Sequence, residues 1–138
     1  MAALTADRNT KSKFVWDYRS LRVAAGVTIY QGAMVCPNQQ GYAVPAADSA
    51  ACASQDVLGV ACETVDNSAG GDGDVRVKVQ AGIFAMNNFG DVTQARTGQW
   101  AYVSDDQTVA ATSSNWVYAG MVLDWQDQDD HLVYIRIP

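Results

Sequence analysis

Val75-Arg76-Val77-Lys78-Val79-Gln80-Ala81-Gly82-Ile83-Phe84 decides the fold. Val75, Val77 and Val79 alternate with Arg76, Lys78 and Gln80. Successive side chains of a strand face opposite sides, so this stretch predicts a strand with one apolar and one charged face. The alternation runs on to Phe84. Gly82 marks a bend or bulge in one long strand, because a missing side chain permits either. Upstream, the apolar run Val57-Leu58-Gly59-Val60-Ala61-Cys62-Glu63-Thr64 predicts a partner strand. The connection at 66–74 is made of Asp, Asn, Ser, Ala and Gly and reads as a turn that neither forms a helix nor buries itself.

Working outward, short strands and turns recur. Phe14-Val15-Trp16-Asp17-Tyr18 alternates with three aromatic side chains on one face, either covering the domain's own core or lying on another subunit. Ala33-Met34-Val35-Cys36, the turn Pro37-Asn38-Gln39-Gln40-Gly41 and Tyr42-Ala43-Val44 form a hairpin by turn chemistry and strand length. Residues 45–55 read as a loop or one short helical turn, and 92–96 are open between the same two forms. From Thr97 the design returns. Gly98-Gln99-Trp100-Ala101-Tyr102-Val103 and Thr108-Val109-Ala110 flank a turn, then come Tyr118-Ala119-Gly120-Met121-Val122-Leu123-Asp124-Trp125, a polar turn at 126–130 and Leu132-Val133-Tyr134-Ile135-Arg136-Ile137. Each copy reads hairpin, apolar strand with an inner glycine, acidic turn, alternating strand. Two such halves closing on each other predict an all-β fold, a compact barrel or a jelly-roll-like sandwich, with an extended N-terminal arm. The arm is placed at 1–19 and a single domain at 20–138.

The chain of 138 residues is long enough to bury a core without a metal or disulfides. Its apolar runs are too short to cross a bilayer, and its first residues lack the pattern of a secretory signal, so the expectation is synthesis in the cytoplasm and no membrane partner. Net charge is −6, unevenly spread. Through Arg22 five basic residues stand against two acidic ones, +3; the remainder has four basic and thirteen acidic, −9. A body this acidic repels phosphates, so no direct nucleic-acid partner is expected. The basic head suits an acidic partner surface or is simply a solvated leader. Cys36, Cys52 and Cys62 are odd in number and widely spaced, which argues against a disulfide framework or a zinc site and for three small buried side chains.

No residue set announces catalysis, and no cofactor is expected. His131 is the single histidine; it follows Asp129 and Asp130 at a loop-to-strand junction, and no serine stands in a nucleophile-elbow setting. Asp72-Gly73-Asp74 and the aspartates of 127–130 do not fit a twelve-residue calcium loop. Gly70-Gly71-Asp72-Gly73 is not followed by the Gly-Lys-Ser/Thr of a phosphate loop. The chain is therefore expected not to be an enzyme. Four tryptophans and six tyrosines keep a binding role in view. Trp100 and Trp125 lie in strand patterns and read as core or subunit contacts, whereas Trp116, beside Asn115 in a loop, is the candidate for exposure.

The order and spacing of these segments resemble the cement, or decoration, proteins of tailed-bacteriophage heads. The resemblance runs from about Leu21 to Ile137. It rests on Ala25-Gly26-Val27 leading to Gly32-Ala33-Met34-Val35, on Val57-Leu58-Gly59-Val60-Ala61, on the valine-rich strand with Gly82, and on Gly98 to Val103, Ala119 to Leu123 and Val133 to Ile137. It implies a structural virion protein on the outer capsid surface that self-associates as a dimer or trimer and bridges major capsid protein subunits. The leader and the 126–130 turn have no counterpart in that pattern. For capsid or subunit contact the candidates are Arg8, Lys11, Lys13, Phe14, Trp16, Tyr18, Arg19 and Trp116. The competing class is a carbohydrate- or cell-surface-binding β module, and a third is another head or tail component.

Overall fold

Alternating valines give the longest strand of the molecule. The computed structural model describes residues 2–10, 12–125 and 131–138. In it Arg76–Asn88 is one 13-residue strand, β7 in chain order, with Val77 and Val79 buried and Arg76 and Lys78 exposed. Before it come β1 (Ser12–Arg22), β2 (Val27–Ile29), β3 (Met34–Pro37), β4 (Ala43–Pro45), β5 (Gly59–Ala61) and β6 (Val65–Asn67). After it come β8 (Trp100–Asp105), β9 (Thr108–Ala110), β10 (Tyr118–Trp125) and β11 (Leu132–Ile137). Among the described residues the only helical pieces are single 3-10 turns at Ala50–Cys52 and Gln94–Arg96, within the two stretches the sequence left open between turn and loop.

The fold is all-β, and its closed part is a barrel. β7 pairs with β11, β11 with β10, β10 with β8 and β8 with β9, all antiparallel. β9 then returns to β7 in parallel at Asn87 and Asn88. Five strands thus close a mixed ring, which removes sheet edges. The first half of the chain pairs in the order β7-β5-β3-β4 and the second in the order β11-β10-β8-β9. One pairing order is therefore used twice, matching the two similar halves read from the sequence. The halves do not close symmetrically on each other: the ring consists of the second half plus β7, and β5, β3 and β4 extend from it.

β7 belongs to two cores on opposite faces. Val77 and Val79 pack in a cluster with Val23, Ile29, Val35 and Ala61. Phe84 and Met86, at the opposite parity, pack inside the barrel with Val103, Val122, Ile135 and Ile137. β3 does the same in miniature, sending Met34 and Cys36 to the barrel side and Val35 to the other. A period-two strand buried on both faces supplies both clusters at once. The switch falls at Gly82, where β1 carries an extra residue: Val15 pairs with Gly82 and Asp17 with Ala81. The bulge expected at Gly82 is therefore not in the glycine's own strand: the extra residue belongs to β1, and β7 stays in unbroken register with β11 from Gly82 to Asn87.

Three local expectations need correction or extension. Residues 66–74 are not uniformly exposed: β6 pairs with β2, and Asn67 is buried. Its side-chain amide donates to the carbonyls of Ala24 and Gly71, both at 2.9 Å, so one polar residue inside the turn organises it. Cys36 and Cys52 are bonded to each other with Cα atoms 6.5 Å apart, against the expectation of three unpaired side chains. The hairpin and the first 3-10 turn bring together residues that sequence spacing keeps apart. Finally, the arm assigned to 1–19 joins the body: from Ser12 onward it is β1, paired with β7 as far as Arg22↔Arg76.

Candidate functional site: an aromatic ladder beside a strand edge

β8 and β10 build the largest exposed aromatic feature among the described residues. Their register sets Tyr118 opposite Tyr102. Ala101 and Val103 point into the barrel, so the alternation turns Trp100 and Tyr102 outward. The two tyrosine rings lie 5.2 Å apart. Trp116 meets Tyr102 edge-on at 5.8 Å, and Trp100 meets Tyr118 edge-on at 6.3 Å. The result is a ladder, Trp116-Tyr102-Tyr118-Trp100, with both tryptophans at its ends exposed, to 55% and 45%. Each edge-on pair contributes about 0.5–1.5 kcal/mol beyond its buried area. The Arg96 guanidinium lies 5.8 Å from the Tyr102 ring, and its Nε donates to the Trp100 carbonyl at 3.1 Å.

The Trp116 end is held by a carboxylate from a distant loop. Trp116 itself adopts a left-handed backbone, φ 57°. Asp48 accepts hydrogen bonds from the backbone N–H groups of Ser114 and Asn115 at 3.0 and 2.8 Å, and from the Ser113 hydroxyl and Asn115 amide. Ser113 Oγ in turn accepts from the Trp116 N–H at 2.9 Å. Partial burial pushes the Asp48 carboxyl up, but the combined hydrogen bonds outweigh it and hold the group below its ordinary range. An uncommon conformation fixed this tightly fits a residue positioned for recognition.

At its other end the ladder runs into a cleft of about 220 Å³ lined by Trp100, Tyr118, Asp56, Leu58, Pro138 and Arg19. Arg19 reaches from β1 to donate to the Leu58 carbonyl at 3.0 Å and the Pro138 carbonyl at 3.3 Å, and it pairs with Asp17. It therefore ties β1 to the segments entering β5 and leaving β11. Next to it Tyr18 stands 58% exposed, with Lys78 Nζ 4.6 Å from its ring.

The candidate residues read from the sequence thus separate into distinct places. Tyr18, Arg19 and Trp116 lie along the ladder, cleft and β1 surface. Arg8 does not: it is half-buried under the leader, with NH1 donating to Thr10 Oγ1 at 2.6 Å and NH2 to Asn87 Oδ1 at 3.3 Å. Burial lowers its guanidinium pKa against the attraction of Asp105 and Asp106. Leu4 packs on the second core and its N–H donates to Asp106 at 2.9 Å, so the leader is strapped to the body. Lys13, Phe14 and Trp16 fall within β1 by their backbone, while their side chains, like Lys11 and the 126–130 turn, lie outside the described residues. His131 is exposed at the entry to β11. Sequence reading missed Tyr102, Tyr118, Arg96 and Asp48. Period-two alternation beside the inward Ala101 and Val103 signals Tyr102; no local pattern signals that Asp48 would meet residues 113–115. No family model, curated protein or solved structure matches the chain.

Proposed function

We propose that the chain is a structural, non-enzymatic virion protein. In this reading it is a cement protein that sits on the outside of a tailed-phage head and bridges major capsid protein subunits, with the aromatic ladder as its grip. The observation that carries the reading is the ladder itself: two tryptophans and two tyrosines with an arginine, displayed on a barrel wall. Tryptophan, tyrosine and arginine dominate the energetics of protein–protein contacts because they bury large area at low entropic cost. A rigid barrel supplies preorganisation, and a repeating shell supplies avidity, since each formed contact raises the effective concentration for the next. Self-association as a dimer or trimer adds further linkage between neighbouring sites.

A carbohydrate-binding reading draws on the exposed Trp116. Against it, the edge-on rings stand 73° and 75° to their neighbours, so the ladder presents ridges and not the flat shelf on which successive sugar rings stack. Ridges with grooves between them suit interdigitating protein side chains. A density map of the assembled particle tests the proposal: it places this fold on the outer head surface with the ladder against a capsid subunit. Location in the tail, or binding to glycans with no affinity for heads, contradicts it.

A further inference from the structure

We infer that the outer edge of β1 accepts an extended, acidic segment of a partner protein as an added strand. This goes beyond the ladder reading and uses a different surface. The bond from the Val23 N–H to the Val75 carbonyl, 3.0 Å, fixes which residues of the β1–β7 pair face each other. By antiparallel alternation, Leu21 and Arg19 direct their backbone groups to β7, and Tyr18 and Ser20 direct N–H and C=O away from it, where the Ser20 carbonyl accepts only a side chain, Arg76 Nη1 at 3.3 Å. Among the described residues no strand pairs with that outer edge; β4 touches it only at Val23, by one bridge to Ala43. The two register shifts of β1 lie before Asp17, so the stretch at 17–21 is regular, and among the described residues its outer edge carries no strand. Unpaired N–H and C=O groups in a regular run are a template for strand addition.

Charge selects the occupant. On the exposed face Ser20 lies opposite Lys78 and Arg22 opposite Arg76, two cations directly across from each other. Like charges at paired positions are destabilising in the free protein. Glu63 is the nearby carboxylate, and it accepts the Lys78 backbone N–H at 3.4 Å. The local balance of three cations to one carboxylate stands on a chain of net charge −6. Such an edge repels a second copy of itself, and a nucleic acid has no alternating peptide N–H and C=O groups to pair with it. An extended segment with alternating acidic side chains satisfies both the backbone and the cations, and arginine matches carboxylates with its planar fork.

The test uses the full chain and a fluorescein-labelled peptide of alternating glutamate and valine. A peptide of alternating glutamate and proline serves as a control with equal charge and no capacity to pair. The first peptide binds, slows exchange of the Tyr18 and Ser20 amides, and loses about tenfold in affinity with Lys78→Glu, an exposed substitution. Ser20→Pro, checked for unchanged circular dichroism, abolishes binding by removing an outward N–H; if that variant does not fold, the amide-exchange result decides. Absence of binding by the folded wild-type chain overturns the inference. Equal binding of the proline peptide, or preferential binding of a single-stranded oligonucleotide, does so too. None of these outcomes bears on whether the ladder grips a capsid.

Discussion

Asp48 and Asn115, 67 residues apart in sequence, are joined twice: one carboxylate oxygen accepts the Asn115 backbone N–H at 2.8 Å and its side-chain amide at 3.1 Å. This link fixes the loop that carries Trp116. Asp48→Ala strands those donors and is expected to cost about 1–2 kcal/mol, the lower part of the range for charge-assisted bonds because the site is only partly buried. Urea denaturation measures the loss. Hydrogen exchange should speed up at 113–116 and leave β11 unchanged; uniform acceleration across the barrel would contradict a local clamp.

Two aspartates give opposite pH dependences. Asp48 has a folded-state pKa below its ordinary 3.8, so its stabilisation is complete above that value and is lost as pH falls through the folded pKa. Asp106 is raised above 3.8, first by burial and further by Asp105, against the Leu4 N–H and Arg8. Its carboxyl therefore favours folding most below 3.8, and that contribution is lost as pH rises through the raised value. Stability measured from about pH 3 to pH 7 should show each slope removed separately. Asp48→Asn flattens the acid side and Asp106→Asn the side above 3.8. An unchanged profile in either variant contradicts the assignment.

Barrel closure depends on close approach at one glycine. A Cβ on Gly120 would collide with the Arg136 carbonyl oxygen and lie 2.7 Å from Ile135 Cγ2, where β10 pairs with β11. Gly120→Ala should cost at least about 2 kcal/mol by forcing these strands apart. Gly41→Ala is the comparison: its φ of 89° strains the backbone, but nothing lies within 4 Å, and a cost of about 1 kcal/mol is expected. Thermal unfolding of the two variants checks the order.

The Cys36–Cys52 link predicts a cross-linked peptide on non-reducing digestion and mass analysis, with Cys62 left as a free thiol. The bond closes a loop of sequence separation 16, and reduction should lower stability by about 3 kcal/mol on the chain-entropy scale. Three free thiols in the oxidised protein would contradict the pairing.

What could be read in the sequence was periodic. Val77 and Val79 announced a buried face, and the matched order around Gly59 and Gly120 announced a pairing order used twice, whereas the bulge read at Gly82 lies in β1 instead. Both glycines lie against the backbone of a paired strand, a Cβ on Gly59 falling 2.8 Å from the Gln80 carbonyl, which is why the signal recurs. What could not be read was contact between distant loops: Asp48 with 113–115, Asp106 with Leu4, Cys36 with Cys52. Asn67 sits in a stretch whose composition signals exposure, and only the approach of Val23 and Ala24 buries it. Of the ladder only the exposure of Trp116 was read: Trp100, placed among core or subunit contacts, is 45% exposed, and the register that sets Tyr118 beside Tyr102 has no local signal.

The central claim is that the ladder holds this protein to a shell. Its most direct measurement is cosedimentation with empty, expanded heads of the cognate tailed phage, comparing the wild-type chain with the Trp100→Ala/Trp116→Ala double variant. Both side chains are exposed, so the variant should remain folded by circular dichroism. The account predicts saturable recovery of the wild type in the pellet and recovery of the variant in the supernatant. Wild-type protein that stays in the supernatant, or a variant that pellets equally well, contradicts it.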